Sequence, residues 1–442
     1  MSITSFFSKN YIINFIILLI PISYIVGNLA LNLNIFLLII FTFLFFKGDV
    51  FHIKYGLTDK LILILFLYIL INGFFNNFFN FDFPNATTQN IVLIKSLLFL
   101  RFLILYFVVR FLVSKEIIDY KLLFFVYGIC AFFVSFDLII QYIFEKNLFG
   151  MEGADGRRLS GVFGDEYIAG SFIQKFFIFL PYSVLFFSRI TNRFFLHFLL
   201  LFIFAITLFG VLASGNRMPL LFTIFTLSLI FIYEKKLRKL IGISSVIFLL
   251  IFSFLFKTND RTYNHFNAFK QKSFEFVSYF YESLSTSEKV LPKNVYVKEF
   301  VSGVLTWEQN KVFGGGVKSF FLNCESVEKD IKKVYIGSCN THPHNYYLEI
   351  ATSLGIIGLF FSIVIFSIIF IKSITFTLYS NVIPEIRNIF APFFIIFVSE
   401  IFPLKTTGSF FTSQTGNFLF IILAFVVGLM ELNKTRSGYE KK

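Results

Sequence analysis

Residues 341–360 read THPHNYYLEIATSLGIIGLF, and in this stretch a polar, histidine-bearing segment runs directly into a long apolar run. His342, His344 and Asn345 lie where the chain leaves water, and Glu349 follows Asn345 by one helical turn on the same face. Imidazoles and a carboxylate at the start of a membrane helix are costly unless they face a wet pocket. Because an imidazole near neutrality accepts a proton from a hydroxyl group, His344 is the candidate general base, and His342 is the weaker candidate.

Glu349 has two interpretations. Five residues on a regular helix place two side chains about 140° apart, so Glu349 can orient His344 only if His344 lies on non-helical backbone. Otherwise its carboxylate is simply favoured by the positive end of the helix, and His344 caps the helix or hydrogen-bonds at the interface. Two histidines and one glutamate resemble part of a metal site, but no fourth ligand has suitable spacing, so no metal is predicted.

Two arginine motifs are candidates for binding an anion. GRRLSGVFGDE contains Arg157 and Arg158, and SGNRM contains Arg217 in a turn between two apolar runs. A guanidinium group is a planar fork of donors that matches phosphate oxygens and stays charged. Arg158 and Arg217 therefore suit a lipid-linked diphosphate, with Arg157 leaving the first assignment ambiguous by one residue. The alternative is an ordinary interfacial arginine, or one paired with Asp165 or Glu166.

Two further cations, Lys95 and Arg101, fall inside an apolar run. Each costs about 2.5–3.5 kcal/mol at the centre of a membrane helix. We expect them to face the interior of the bundle, toward a lipid phosphate or Asp137, although Lys95 could also extend outward to the interface. The segment GGGVKS, residues 314–319, fails the spacing of a nucleotide phosphate loop, and we assign it no ligand.

The composition predicts an all-α polytopic membrane protein. Of the 442 residues, 57% are hydrophobic and 15% are charged, whereas soluble domains average about 25% charged residues. Hydropathy predicts about twelve spans. Their predicted bounds are 11–26, 29–46, 61–79, 91–113, 122–144, 167–187, 194–213, 218–233, 240–256, 346–371, 389–402 and 418–430. We interpret the first run, which resembles a signal peptide, as a retained membrane helix.

The distribution of cations predicts the orientation. With a cytoplasmic N-terminus, nineteen lysines and arginines lie in the inner loops and five in the short outer loops. Both termini are therefore expected in the cytoplasm, and the net charge of +13 is assigned to this asymmetry rather than to a nucleic-acid partner.

Three regions follow from this topology. Residues 1–256 hold nine spans, residues 257–345 form one large outer loop, and residues 346–442 hold three spans and a cytoplasmic tail. Within the loop, phenylalanines at helical spacing predict an amphipathic helix over 263–284, and a second is predicted over 295–308. Cys324 and Cys339 share this loop, where a disulfide and two free thiols both fit the sequence.

The chain resembles the O-antigen ligase and polymerase superfamily in several short segments, through their order along the chain and their predicted location on one side of the membrane. The matching segments are RLSG with Arg158, SGNR with Arg217, WEQNKVFGGGVKSFF, and HNYYLEIATSLGIIGL from His344. The resemblance covers residues from about 122 to 371 and implies a helical membrane core of the GT-C type with one large periplasmic loop. Family ligases carry a His-Asn pair at the end of this loop, and the chain keeps it as His344 and Asn345.

The resemblance implies an inverting, metal-independent glycosyltransferase of the bacterial inner membrane that needs no cofactor. Its donor would be a glycan on undecaprenyl diphosphate. A ligase would transfer this glycan to lipid A–core, and a polymerase would transfer it to another lipid-linked repeat unit. Arg158 and Arg217 would hold the diphosphate, and His344 would assist attack by the acceptor hydroxyl. His342, Asn345, Glu349, Arg157, Arg101 and Lys95 are the further candidates for substrate binding. An ion-coupled transporter is the alternative from another class, but the polar residues cluster on one face instead of at the midplane.

Overall fold

The structure is a computed structural model that describes residues 9–79, 86–153, 158–285, 295–330, 339–378, 382–406 and 408–439. Regular secondary structure within these ranges is helical and comprises seventeen α-helices and three short 3₁₀ helices. In chain order the α-helices are α1 Lys9–Leu18, α2 Ile20–Val26, α3 Asn28–Phe46, α4 Leu57–Phe79, α5 Ala86–Ser114, α6 Tyr120–Phe144, α7 Ala169–Phe176, α8 Phe179–Phe187, α9 Arg193–Ala213, α10 Arg217–Tyr233, α11 Arg238–Thr258, α12 Asp260–Ser285, α13 Val295–Gln309, α14 Ser319–Asp330, α15 Tyr346–Leu378, α16 Pro384–Glu400 and α17 Ser413–Tyr439.

The prediction of an all-α polytopic membrane protein is confirmed. Among the described residues, nine helices are long and apolar enough to cross a membrane, and the bent pair α1–α2 would make ten. Each of the twelve predicted spans coincides with a helix or a helix pair. The eighth and eleventh spans correspond to α10 and α16, which have 17 residues each, so the count of twelve crossings stays a prediction.

Helix α17 forms the centre of the bundle, packed mainly against α5 and α16. It is buried along most of its length, and aromatic rings fill the contacts on both sides. Phe420 stacks on Phe102 of α5 with ring centres 5.9 Å apart, and Phe425 stacks on Phe393 of α16 at 4.2 Å. Many of the chain's phenylalanines therefore lie between helices, where they fill space without polar groups to satisfy.

Helix α15 is broken at Gly355, which the sequence analysis did not foresee. Gly355 has φ +65° and ψ −168°, a conformation that is essentially restricted to glycine. The glycine-rich segment before α14 packs directly against the break. The N–H groups of Gly315 and Gly316 donate to the carbonyls of Thr352 and Ser353 at 3.0 and 2.8 Å. The Thr352 and Ser353 carbonyls at the break therefore accept hydrogen bonds from another segment, because backbone polar groups buried in a membrane protein must be satisfied.

The other side of the break is satisfied in the same way. The N–H of Ile356 donates to the carbonyl of Lys311 at 2.9 Å, and the Tyr68 hydroxyl of α4 donates to the carbonyl of Leu354 at 2.9 Å. The outer loop is therefore joined by backbone hydrogen bonds to the helix that carries the histidine motif.

We expect Gly355→Ala to destabilise the protein strongly. A Cβ atom at this position would lie 2.1 Å from the Val312 carbonyl oxygen, and the strained backbone alone costs about 1–3 kcal/mol. The matched control is Gly242→Ala in α11, where a Cβ atom would meet nothing within 4 Å. Because alanine favours a helix, this control should stabilise slightly. The unfolding temperature, followed by Trp307 fluorescence in detergent, measures both variants; equal temperatures would contradict the prediction.

Both amphipathic helices predicted in the outer loop are confirmed as α12 and α13. The phenylalanine stripe of α12 has two contact regions. Phe266 packs on Phe252 of α11 at 4.9 Å, and Phe280 packs on Phe300 of α13 at 5.9 Å. The stripe therefore connects the loop helices to each other and to the membrane helices.

Arg110 corrects one part of the orientation argument, which counted it among the inner-loop cations. Arg110 lies inside α5, is 1% exposed and pairs with Asp59 of α4, with Nε 3.1 Å from Oδ1. Its charge is paired with Asp59 inside the bundle, so the number of lysines and arginines assigned to the inner loops falls by one. The asymmetry still favours cytoplasmic termini.

The structure joins Cys324 and Cys339 by a disulfide, with Cα atoms 5.7 Å apart. The third cysteine, Cys130, is free and buried. We expect a maleimide–polyethylene glycol reagent to add one label per denatured chain before reduction and three after it. A Cys130→Ser variant serves as the control and should give no label before reduction and two after. Three labels on the unreduced wild type would contradict the bridge.

Candidate active site

His344 lies immediately before α15 on non-helical backbone, with φ +49°. The helix start is fixed by Asn345, whose Oδ1 accepts from the N–H of Leu348 at 3.1 Å, as an N-cap residue does. The Asn345 amide also donates to the carbonyl of Pro403 at 2.8 Å. Asn345 therefore holds the histidine segment against the loop between α16 and α17.

The two histidines of the motif are neighbours. The ring centres of His342 and His344 are 4.3 Å apart, and Nδ1 of His342 lies 3.0 Å from the hydroxyl of Thr341. Burial lowers the pKa of His344, and burial together with His344 and Lys318 lowers the pKa of His342 to about 3. Both imidazoles are therefore neutral at pH 7, the state in which a histidine can accept a proton.

Glu299 of α13 is a site residue that the sequence analysis missed. Its Oε2 lies 3.8 Å from Nε2 of His344, and the Asn340 amide donates to its Oε1. The Glu299 side chain is 8% exposed, against 35% for His344. Burial raises the pKa of Glu299 to about 7, despite an opposing effect of Asn340. Forty-five residues separate Glu299 from His344, so no local spacing could have linked them.

Glu349 faces away from the histidines. It is 2% exposed, and its carboxylate accepts from the Ser409 hydroxyl at 2.5 Å and from the N–H of Phe410 at 2.6 Å. Lys318 lies 3.4 Å from the same hydroxyl. In this arrangement Glu349 holds the loop before α17. His344 does lie on non-helical backbone, as an interaction with Glu349 would require, but Glu349 contacts Ser409 and Phe410 instead.

Arg217 is the first residue of α10 and reaches α12. Its Nε donates to Nε2 of His265 at 3.1 Å, its Nη2 donates to the His265 carbonyl at 2.7 Å, and its guanidinium lies 5.5 Å from the centre of the Phe269 ring. His265, 48 positions further along the chain, therefore holds the Arg217 guanidinium in one orientation.

Arg158 lies next to the turn that precedes Arg217. The N–H of Leu159 donates to the carbonyl of Ser214 at 3.1 Å, which places the two arginine motifs side by side. The Arg158 side chain is exposed, with its guanidinium 5.9 Å from the centre of the Tyr167 ring. The neighbouring candidate Arg157 lies outside the described residues.

Buried polar side chains of α6 hold the Arg158 loop in place. Asp137 accepts from the N–H of Leu148 at 2.9 Å, and Gln141 accepts from the N–H of Gly161 at 2.9 Å. Asp137, considered as a partner for Lys95 or Arg101, instead supports this loop.

Lys405 connects the arginine side of the site to the histidine side. Its Nζ lies 2.6 Å from Oε1 of Glu400, 5.9 Å from the centre of the Phe222 ring in α10, and 5.5 Å from the centre of the Tyr346 ring in α15. Lys405 and Glu400 are 4% and 0% exposed. The early turns of α10 and α15 therefore meet around one buried ion pair.

This meeting point fixes the relative placement of the two main candidates. Phe222 follows Arg217 by five residues, or about 7.5 Å along a helix, and Tyr346 follows His344 by two. Arg217 and His344 therefore lie at helix beginnings on the same side of the protein. Both helix N-termini direct positive potential toward that side, which favours an anionic ligand.

A second buried lysine, Lys175 of α7, was also missed by the sequence analysis. It is 7% exposed, donates to the Tyr24 hydroxyl at 3.0 Å, and lies 5.0 Å from the centre of the Phe418 ring. A lysine inside a membrane bundle is a candidate functional residue by default, because burying its charge there is costly. In the sequence, the indication of this residue is a single lysine in an apolar run. Averaging hydropathy over a window of residues hides the contribution of one such lysine.

The cations of α5 are placed differently from each other. Arg101 is half-buried and donates to the Ser413 hydroxyl at 2.7 Å, at the start of α17. Lys95 is exposed; burial lowers the pKa of Lys318, and the nearby charge of Lys95 lowers it further. Arg101 thus faces the bundle as expected, whereas Lys95 takes the outward alternative. Lys318 belongs to the segment GGGVKS, to which the sequence assigned no ligand. It lies beside the loop that includes Ser409 and adds a third cation to Lys95 and Arg101 in this region.

Within the described part of the chain, no group of three or more His, Cys, Asp or Glu side chains could hold a metal ion. The elements that the site does bring together are an arginine pair on one flank, a neutral histidine beside a buried carboxylate on the other, and a buried ion pair between them. The fold that carries these groups is a helical membrane bundle.

Comparison with known proteins agrees with this class. The family model described as O-antigen ligase matches residues 202–363, a range that includes Arg217, Glu299, His344 and Glu349. Over this range the chain is similar to the O-antigen ligase and polymerase superfamily. Arg158 and Lys405 lie outside the match. A search of curated proteins finds no match to the chain.

Proposed function

We propose that the protein transfers a glycan from an undecaprenyl-diphosphate carrier to lipid A–core, or to a similar acceptor, at the periplasmic face of the bacterial inner membrane. The observation that carries this proposal is the meeting of α10 and α15 around Lys405, because it puts Arg217 and His344 on one side of the bundle. The positive-inside distribution of cations supports a periplasmic position for that side and a cytoplasmic position for both termini.

In the proposed reaction His344 accepts the proton of the acceptor hydroxyl, and the oxygen attacks the anomeric carbon of the donor sugar. The new carbon–oxygen bond forms opposite the bond to the diphosphate, so the configuration inverts. The diphosphate leaves with its negative charge held by Arg158 and Arg217, without a metal ion. Support for neutral His344 as the base comes from its burial, which lowers its pKa.

The other predicted binding residues take supporting roles in this proposal. Asn345 and Glu349 hold the histidine segment against the loop before α17, and His342 packs on His344. Arg101 and Lys95 extend the positive surface toward the lipid carrier, and Arg157 belongs to the Arg158 loop. We further propose that residues 1–256, 257–345 and 346–442 act as the first membrane region, the outer loop and the second membrane region.

A polymerase that joins lipid-linked repeat units is the nearest alternative. Deleting the gene and analysing the surface glycan separates the two reactions. For a ligase, long glycan accumulates on its lipid carrier and does not reach lipid A–core. For a polymerase, the surface carries a single repeat unit. Unchanged surface glycan would contradict both.

An ion-coupled transporter is the alternative from another class, and the break at Gly355 is the feature that favours it. Transporters coordinate ions with carbonyl groups of interrupted helices. Here the carbonyls of Thr352 and Ser353 accept from the outer loop, and that of Leu354 accepts from Tyr68. The groups that would coordinate an ion are engaged, so the break supports attachment of the outer loop instead.

A further inference from the structure

Glu299 is a buried acid whose two oxygens have different neighbours. Oε1 accepts from the Asn340 amide, and Oε2 faces Nε2 of His344 at 3.8 Å. This distance is too long for a hydrogen bond in the free protein, but catalytic hydrogen bonds commonly shorten when substrate binds. The amide fixes the carboxylate, so its second oxygen is directed at the imidazole.

The surroundings of Glu299 explain why its charge is available to His344. The elements packed against α13 and the loops beside them carry several charged or titratable side chains, which include His342, His344, Lys318, Lys270, Lys272, Glu275 and Glu282 of α12, and Tyr346, Tyr347 and Glu349 of α15. Lys272 lies over the Tyr296 ring at 5.6 Å, Lys318 lies near Glu349 and Lys95, and Glu349 is occupied by Ser409 and Phe410. Burial therefore dominates the pKa of Glu299, and the imidazole of His344 is the group toward which its second oxygen points.

We propose that Glu299 is the positioning carboxylate of His344: it holds the imidazole with the proton on Nε2 and stabilises the imidazolium that forms during transfer. This inference rests on the proposed function. The hydroxyl O–H bond breaks, an N–H bond forms at Nδ1, and the positive charge of the ring is balanced by the carboxylate. On product release the proton passes to water, which restores neutral His344.

The proposal fixes the pH dependence of the reaction. Glu299 acts in its ionised form, and its pKa is raised to about 7. The rate of transfer should therefore be full above pH 8 and fall as the pH drops through about 7. The lowered pKa of His344 puts its own protonation at more acidic pH. Because the two groups interact, the observed midpoint belongs to the pair.

The test uses the full-length protein in liposomes, with the lipid extract of the deletion strain as the source of donor and acceptor. Glu299→Gln should lower the transfer rate about 10- to 100-fold at pH 8 and leave it nearly constant down to pH 6. The matched control is Glu308→Gln, on the same helix, where the carboxylate is half exposed and pairs with Lys311. This control should keep the wild-type rate and profile.

A profile of Glu299→Gln that still falls through pH 7 would overturn the proposal, as would an unchanged rate. If the wild type itself transfers nothing, the proposed function fails, and a second measurement still decides the coupling. Infrared spectroscopy of the membrane-embedded protein should show a protonated-carboxyl band that titrates near pH 7 and is absent in Glu299→Gln. Its midpoint should rise in His344→Ala, which removes the facing imidazole. An unshifted midpoint would show that Glu299 does not act through His344.

Discussion

His344→Ala is expected to abolish detectable glycan transfer while membrane insertion and folding stay intact. A positioned general base contributes about 10²- to 10⁴-fold to a rate, and the neighbouring imidazole of His342 cannot replace it. Nδ1 of His342 is engaged by Thr341, and its lowered pKa of about 3 makes it a weak base. The measurement is the amount of surface glycan in a deletion strain that expresses the variant at the wild-type level.

Two further variants make this result specific. His197→Ala, at an exposed position in the second turn of α9, should leave transfer unchanged and controls for the loss of a histidine as such. His342→Ala should be milder than His344→Ala. Undiminished transfer by His344→Ala would remove this residue from the chemistry.

Arg217→Lys is the second substitution with a large expected effect, a loss of transfer of about 100-fold or more. An ammonium group cannot reproduce a planar fork that holds the His265 side chain and carbonyl together and offers a matched surface to a diphosphate. Removing one partner of such a charge-assisted contact costs about 2–5 kcal/mol. The rate is measured in liposomes, with Arg261→Lys as the matched control, because Arg261 on the same outer loop lies over the Tyr142 ring at 5.9 Å.

The same experiment separates binding of the diphosphate from anchoring of α12. His265→Ala removes the side-chain partner of Arg217 and leaves its guanidinium charge in place. If Arg217 binds the leaving group, Arg217→Lys should reduce transfer far more than His265→Ala. Equal losses would show that the arginine serves the packing of α12, and a wild-type rate would argue against diphosphate binding altogether.

Part of the site was predictable because it depends on local pattern. The polar-to-apolar junction at His344 marks a helix start, and Asn345 does cap that helix. The turn before Arg217 and the phenylalanine stripe of α12 were also predictable, since tight bends and amphipathic helices are read from nearby residues. The roles assigned to His344, Arg217 and Arg158 stay predictions until the variants are measured.

Other parts depend on contacts between distant segments. Glu299, Lys175 and Lys405 acquire their significance from neighbours more than 40 residues away or on other helices. Glu349 shows the converse, because its position in the motif favoured Asn345 as a partner, and His344 only on non-helical backbone, whereas its contacts are with Ser409 and Phe410. A period of 3.6 residues defines which face a side chain occupies, but not which helix faces it.

By itself, the sequence determined that this is a helical membrane protein. Those properties follow from transfer free energies, which each segment carries independently of its neighbours. Only the tertiary structure decided that α15 is broken at Gly355, that the outer loop closes this break with its own backbone, and that a buried carboxylate faces His344. Buried polar groups must find partners wherever the packed chain brings them, and that requirement acts between segments that are remote in sequence.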